Sequence, residues 1–206
     1  MASLSTDRGV KVLGIPSAGR LSMCRWSKGF YLLMGGETLT PEVVMDAAAL
    51  TEVRTPAVAV AGALDRLRAS SEPLECVIAG AGVQGRVGLV VVATSAGEPV
   101  VVDRQLRPDA TVLAVGAHTV DTRELHEDVL RGAKVIVEDV GAARREAGDV
   151  AIAVEKGALA WEEVATMAEV VLGEVALDPA RRVVFKTVGM QWEDLAVATA
   201  VGEAAL

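Results

Sequence analysis

Aromatic residues make up only 3% of this 206-residue chain, so its core cannot be built around large rings. Hydrophobic residues nevertheless account for 51%, chiefly Ala, Val and Leu, alongside 20 Gly. That balance predicts an α/β protein with buried Val-rich strands and Ala-rich helices. Cysteine is nearly absent. Cys24 and Cys76 lack the spacing of a metal or redox pair. His118 and His126 stand eight apart with no companion ligand motif. These scarcities argue against a metal site and predict a reducing, cytoplasmic setting.

Long apolar runs are missing too. The mean hydropathy of +0.39 is high, yet the charge-free run from Val87 to Gly97 is too short and too Gly-interrupted to cross a bilayer. Asp7, Arg8 and Lys11 interrupt the N-terminal stretch, so no secretory signal is expected. The formal net charge is −8, with both signs scattered. No basic face is visible to meet phosphates, which argues against nucleic acid as a partner.

Residues 9–15 and 29–34 read as strands separated by a Gly/Ser-bearing loop. A short helix is predicted from Met45 to about Val53. Thr55-Pro56 then reads as a cap and first residue of a second helix, which places Arg54 just before a helix N-terminus. LECVIAG, GLVVVAT, TVLAVGA, AKVIVED and RRVVFKTVG read as strands. Helices are predicted over His126–Leu130 with Gly132 closing, over Trp161–Leu172 with Gly173 as the stop, and over Gln191–Ala205.

Between two of those strands lies Gly80-Ala81-Gly82-Val83-Gln84-Gly85. A G-x-G-x-x-G after an apolar strand marks a dinucleotide site, because glycines allow the tight turn and the backbone's approach to a pyrophosphate. The fingerprint should then open a helix. Here Arg86 runs almost directly into Val87–Thr94, the next apolar stretch. Either residues 83–94 form a β-branched helix, or two strands meet through a tight turn and pair antiparallel. Asp103 falls near the distance of a ribose-binding acid, but beyond the strand and turn, so that match reads as chance.

Six separated motifs then converge. GVK at 9–11, ALTEVRTPAV at 49–58, GAGVQGR at 80–86, VGAHTVDTREL at 115–125, REAGD at 145–149 and VFKTVGMQWEDLAVA at 184–198 resemble, in order, the signature of the ornithine cyclodeaminase and mu-crystallin family. The GAH and RTPAV wording is similar to an actinobacterial-type branch. The resemblance implies a Rossmann-like NAD(P)-binding core at 71–175, lacking the middle of its βαβ unit. It also implies a smaller α+β substrate and dimerisation part at 1–70 and a segment at 176–206 that returns to it. NAD or NADP, an amino-acid or imine substrate, and homodimers follow from the same resemblance. So does a chemistry in which hydride moves at an amino-acid Cα through an imine.

Carried over residue by residue, Arg54 matches the arginine that clamps the substrate carboxylate and Lys11 the lysine near the reacting carbon. Guanidinium suits a carboxylate because it binds it bidentately. Gly80, Gly82, Val83, Gln84 and Gly85 match the pyrophosphate turn. Thr94 and Ser95 match a cofactor-contacting strand end, Gly116 and Thr122 another cofactor loop, and Thr187 a residue near the nicotinamide. His118 stands where the cyclodeaminases carry a catalytic aspartate, and histidine is a residue type that moves protons near neutral pH. Two blocks of the family pattern are missing: the stretch before GVK and the part of the Rossmann unit between GAGVQGR and VVVATSAGEP.

Plainer roles stand beside these. Lys11 reads equally as an edge charge and His118 as a structural hydrogen-bonding residue. His126 sits where an N-cap is expected. Glu146 and Asp149 read as residues that pack a loop, and Lys186 as lying near the surface of a strand. Trp26, Trp161 and Trp192 read as packing residues, and Arg144-Arg145-Glu146 as a solvated face. The leading expectation is an enzyme of the family with activity weakened or lost. A non-catalytic dimerising or small-molecule-binding homologue is the alternative, and a marginally folded deletion product the third option.

Overall fold

A computed structural model describes residues 8–14, 28–69, 76–79 and 88–205. In chain order the elements are β1 (Arg8–Gly14), β2 (Lys28–Met34), β3 (Pro41–Asp46), α1 (Ala47–Ala69), β4 (Cys76–Ala79), β5 (Leu89–Val92) and β6 (Thr111–Ala114). Then come α2 (Glu127–Leu130), β7 (Lys134–Val137), α3 (Val140–Glu146), α4 (Gly148–Glu155), β8 (Ala165–Thr166), α5 (Met167–Val171), β9 (Val183–Lys186) and α6 (Gln191–Ala205). The chain forms two compact units, residues 1–58 with 189–206, and residues 59–188.

The first unit is built on an antiparallel sheet ordered β1-β2-β3, in register at Lys11↔Tyr31 and Leu32↔Val44. Side chains alternate across such a sheet. Tyr31 and Leu33 are therefore buried with Ala47, Leu50 and Ala198, while Phe30 and Val44 on the other face are 46% and 69% exposed. β3 was not legible in the sequence. Asp46 ends it and starts α1, because its carboxylate accepts from the N–H groups of Ala48 (2.8 Å) and Ala49 (3.0 Å).

Two helices were expected where α1 runs unbroken through Pro56. Proline removes one i→i−4 bond, which here would reach the Glu52 carbonyl. Glu52 and Pro56 both lie on the exposed side of the helix, where water can serve that carbonyl. The Ala-rich flanks carry the helix across. Arg54 consequently sits inside α1 rather than just before the start of a second helix.

The second unit carries a parallel sheet ordered β4-β5-β6-β9-β7-β8. The chain is an α/β protein, as the composition predicted. Neither option entertained for residues 83–94 holds, since Leu89–Val92 is a strand and pairs with β4 in parallel, Cys76 opposite Leu89. Its place is set by burial on both faces between β4 and β6, with Val90 and Val92 in the core. Local spacing could not reveal that. Around it Val112, Leu125, Val129, Leu130, Val135, Val150 and Val184 are all fully buried.

His126 caps α2 as expected, accepting from Asp128 N–H, and positive φ at Gly132 and Gly173 marks the predicted stops. The helix expected over Trp161–Leu172 is instead a 3₁₀ turn, the short strand β8, and α5. Thr166 breaks the run by capping α5, with Glu169 reaching back to its N–H. Helices α3 and α4 were not anticipated. They meet at Gly148, where a Cβ would lie 2.0 Å from the Thr122 carbonyl oxygen and 2.5 Å from that of Thr119. Glycine is thus what lets α4 start against that loop. Among the described residues no helix is long and apolar enough to cross a membrane.

Candidate functional site

In parallel α/β sheets ligands lie beyond the carboxyl ends of the strands. In the second unit those ends are organised by a buried carboxylate that the sequence reading missed. Glu124 is fully buried. Its Oε1 accepts from Thr94 N–H and from Thr94 Oγ1 (2.8 Å), and its Oε2 from the N–H groups of Gly116 (2.6 Å) and Ala117 (3.2 Å). Three backbone donors and a hydroxyl on one anion form a charge-assisted cluster that joins the loops after β5 and β6. Gly116 is enclosed within it, since a Cβ there would fall 2.0 Å from the Thr94 carbonyl oxygen.

A second buried group backs the first. Asp149, at the start of α4, accepts through Oδ1 from the N–H groups of Glu124 (2.7 Å) and Leu125 (2.8 Å). Its Oδ2 lies 3.4 Å from Lys186 Nζ, with both side chains 0% exposed. The loop-packing role expected of Asp149 is what it performs, and Glu146 is exposed. Lys186 departs from its expected place near the surface. It ends β9 and donates to the carbonyls of Ala114 and Ala117. Because β9 is buried on both faces, a strand-end lysine there has no route to water. Burial pulls its ammonium below the usual lysine range, opposed by the charges of Asp149, Glu124 and Glu138. A cation inside the run VVFKTV was the available signal. Thr187, next along, donates its hydroxyl proton to Glu138, whose other oxygen accepts from Val188 N–H at 3.0 Å.

The structure thus draws Thr94 and Gly116 together through Glu124. His118 is exposed, and its Nδ1 lies 3.1 Å from the Gly116 carbonyl. A carbonyl only accepts, so the neutral ring carries its proton on Nδ1 and presents Nε2 as the basic atom. Ser95 is exposed. The Thr122 hydroxyl pairs with that of Thr119 at 2.8 Å. The candidate pyrophosphate residues Gly80, Gly82, Val83, Gln84 and Gly85 lie outside the described residues, as does Trp26.

In the first unit Lys11 lies in β1 opposite Tyr31. Arg54 is held from α6: its Nη1 lies 3.0 Å from Glu193 Oε2 and its Nε 3.3 Å from Asp194 Oδ1. Glu193 also accepts from Met190 N–H at 3.1 Å, at the start of that helix. The backbone of Gly189 lies against the guanidinium. With φ at 84°, a Cβ on Gly189 would stand 2.6 Å from Arg54 Nη1. Tyr31 has its phenol pKa raised, first by burial and then by the charge of Asp194. Of the other singled-out residues, Trp192 is 48% exposed rather than packed, and Arg144 lies over the Trp161 ring, 4.5 Å from its centroid.

A parallel sheet whose carboxyl-end loops are gathered on one buried carboxylate defines a Rossmann-like α/β protein. Comparison with known proteins takes this further. Residues 85–206 match the ornithine cyclodeaminase/mu-crystallin family, and the chain belongs to it. A Delta(1)-pyrroline-2-carboxylate reductase of Burkholderia ambifaria is 36% identical over 110 residues, 53% of this chain and 33% of the relative. The ketimine reductase mu-crystallin of Mus musculus is 34% identical over 113 residues, 55% of this chain and 34% of the relative. The stretch matched is about a third of each relative's length. Among solved structures, an archaeal alanine dehydrogenase dimer with bound NAD aligns at TM-score 0.79 and 25% identity, covering 98% of this chain and 79% of that one. The Delta(1)-pyrroline-2-carboxylate reductase of Thermococcus litoralis, with NADH and L-proline, aligns at TM-score 0.78 and 22% identity, over 87% and 72%.

Proposed function

We propose that the chain binds NAD(H) or NADP(H) at the carboxyl edge of its parallel sheet and acts in amino-acid and imine chemistry. The observation that carries this reading is the Glu124 cluster, which fixes the loop backbones of Thr94 and Gly116 in a member of this family. The acceptors here suit the ribose and carboxamide end of such a cofactor. Thr94 and Thr187 spend their hydroxyl protons on Glu124 and Glu138, so their oxygens act as acceptors for ribose hydroxyls or a carboxamide NH₂. The phosphates would be met by the glycine-rich sequence Gly80–Gly85, with Val83 and Gln84.

When bound, the nicotinamide would exchange a hydride with an amino-acid Cα. The compounds named with the relatives, pyrroline carboxylate, proline and alanine, share a carboxylate beside a carbon–nitrogen bond. Arg54 would hold such a carboxylate, with Glu193 and Asp194 fixing its Nη1 and Nε edges, and Lys11 would sit near the reacting carbon. His118 would carry the proton on Nε2. The exposed apolar face of the first unit's sheet, with Phe30 and Val44, supports a homodimer, and the scarcity of cysteine supports a cytoplasmic setting.

Calorimetric titration with NADH and NADPH tests the reading, with Gly82→Asp as control. Saturable binding abolished by the substitution supports it, and an imine and amino-acid screen follows. No binding at millimolar cofactor sinks it. A second reading, a non-catalytic homologue, is favoured by the connection from β4 to its parallel neighbour β5, which spans only residues 80–88. Parallel neighbours ordinarily need about a dozen or more residues between them. Turnover comparable to a full-length relative would exclude that reading.

A further inference from the structure

Lys186 and Asp149, which tie β9 and α4 to the loop after β6, have no role in the chemistry above, yet both act on one segment. Lys186 holds that segment at the carbonyls of Ala114 and Ala117. Asp149 holds it at the N–H groups of Glu124 and Leu125. Glu124 folds back from there onto Gly116 and Ala117 N–H. The residue after Ala117 is His118, and its ring bonds the Gly116 carbonyl within the same segment.

A buried ion pair is a poor source of stability, because an apolar pair of similar volume often serves as well or better. Lys186 also meets Asp149 only at 3.4 Å, while its donated hydrogen bonds go to backbone carbonyls. What this arrangement specifies is the course of the backbone on either side of an exposed histidine. An exposed imidazole with no fixed partner would sample both tautomers.

We propose that Lys186 and Asp149 are positioning residues, which hold the 114–125 segment so that the His118 imidazole keeps its Nδ1 proton on Gly116 and presents Nε2 in one orientation. The use of that orientation rests on the reading of His118 as the proton carrier.

The first test leaves Lys186 and Asp149 unchanged and needs no cofactor. Nitrogen NMR of the imidazoles in the unaltered protein, with His126→Gln to separate the two histidines, should show neutral His118 protonated at Nδ1 alone. A mixture of tautomers overturns the proposal.

The second test uses Lys186→Met with Asp149→Asn. Methionine keeps the stem, and asparagine keeps an oxygen for the Glu124 and Leu125 N–H groups. The double variant should still melt cooperatively, while His118 becomes a mixture of tautomers. In cofactor-dependent turnover kcat should fall at least tenfold, with KM changed less than twofold. A folded double variant with a single Nδ1 tautomer and parental kcat overturns the proposal and leaves the pair a structural feature. If the variant does not fold, the unaltered protein decides. Failure of the proposed function would appear separately, as a parent that binds neither NADH nor NADPH, and the tautomer measurement would still stand.

Discussion

Gly189→Ala addresses whether the contact between Gly189 and Arg54 fixes the guanidinium or merely tolerates it. The new methyl group would stand 2.6 Å from Nη1 and 2.8 Å from Nη2, well inside contact distance. A guanidinium at the end of a free arginine would swing aside cheaply. This one is pinned by Glu193 at 3.0 Å and Asp194 at 3.3 Å, so movement loosens both pairs around a carboxylate that is fully buried. The backbone adds its own cost: with φ at 84°, an L-residue loses about 1–2 kcal/mol. Loosening a buried pair adds a fraction of the ~3–5 kcal/mol that outright removal of a partner costs. The expected sum is about 2–4 kcal/mol. Urea unfolding of the parent and of an Arg54→Met/Glu193→Gln background separates the two parts. In that background there is no guanidinium to displace, so Gly189→Ala should cost only the backbone share. Equal costs in the two backgrounds would refute the coupling and leave Gly189 as a turn residue alone.

Gly148→Ala should destabilise the second unit by about 1–3 kcal/mol or more through overpacking, because its methyl group meets the carbonyls of Thr122 and Thr119, which cannot rotate away; an unchanged melting midpoint would contradict the geometry. Tyr31 is the only tyrosine, so alkaline titration of the phenolate band reports it alone, and half-titration should come above the ordinary value of 10.0. Since the unfolded phenol ionises first, the stability linked to Tyr31 is whole below pH 10.0 and is lost as pH rises toward the folded pKa; Asp194→Asn should lower that pKa, and no change would remove Asp194 as a cause. For Glu127, held down to about 2 first by its hydrogen bond from Lys156, the sign is opposite: its stabilising share is present above pH 4.5 and lost as pH falls toward about 2. Lys156→Met should raise the Glu127 carboxyl titration seen by NMR. Finally, Phe30→Asp with Val44→Lys should turn a dimer into a monomer by sedimentation, and a parent that is already monomeric would withdraw the dimer from the proposed function.

The parts of the fold that could be read from the sequence are those whose cause is local. Val-rich runs gave β4, β5, β6, β7 and β9 of the second unit, and β1, β2, α2 and α6 fell close to their expected places because alternation, His126, Gly132 and the Ala-rich final run all act within a few residues. The misreadings share the opposite property. Pro56 looked like a helix start because its exposed setting, where water serves the freed carbonyl, is a tertiary fact. Ala165 and Thr166 looked helical until β7 supplied a partner for β8. For residues 83–94 only a helix or an antiparallel pairing was considered, because nothing in residues 80–94 records that β6 lies on the other side of β5.

The candidate site divides along the same line. Motif resemblance singled out Thr94, Gly116, His118 and Thr187 at strand ends and Asp149 as a loop-packing residue, but it was silent on Glu124 and Glu138 and on which groups each acid holds. Glu124, Asp149 and Glu138 are acids in a chain with 28 acids, and nothing in their immediate neighbours separates them from solvated ones. Their distinction comes from donors that are distant in sequence: Thr94 for Glu124, Thr187 for Glu138, and for Asp149 the backbone at 124–125. Lys186 is the exception that could have been caught. A parallel strand buried on both faces reads as an unbroken apolar run, and a lysine inside such a run needs a buried counter-charge because an unpaired one costs several kcal/mol. Starting from VVFKTV, the search for that partner narrows to acids that a helix start or loop can bring to the carboxyl end of β9, and Asp149, beside Gly148 at the head of α4, is the one the fold supplies.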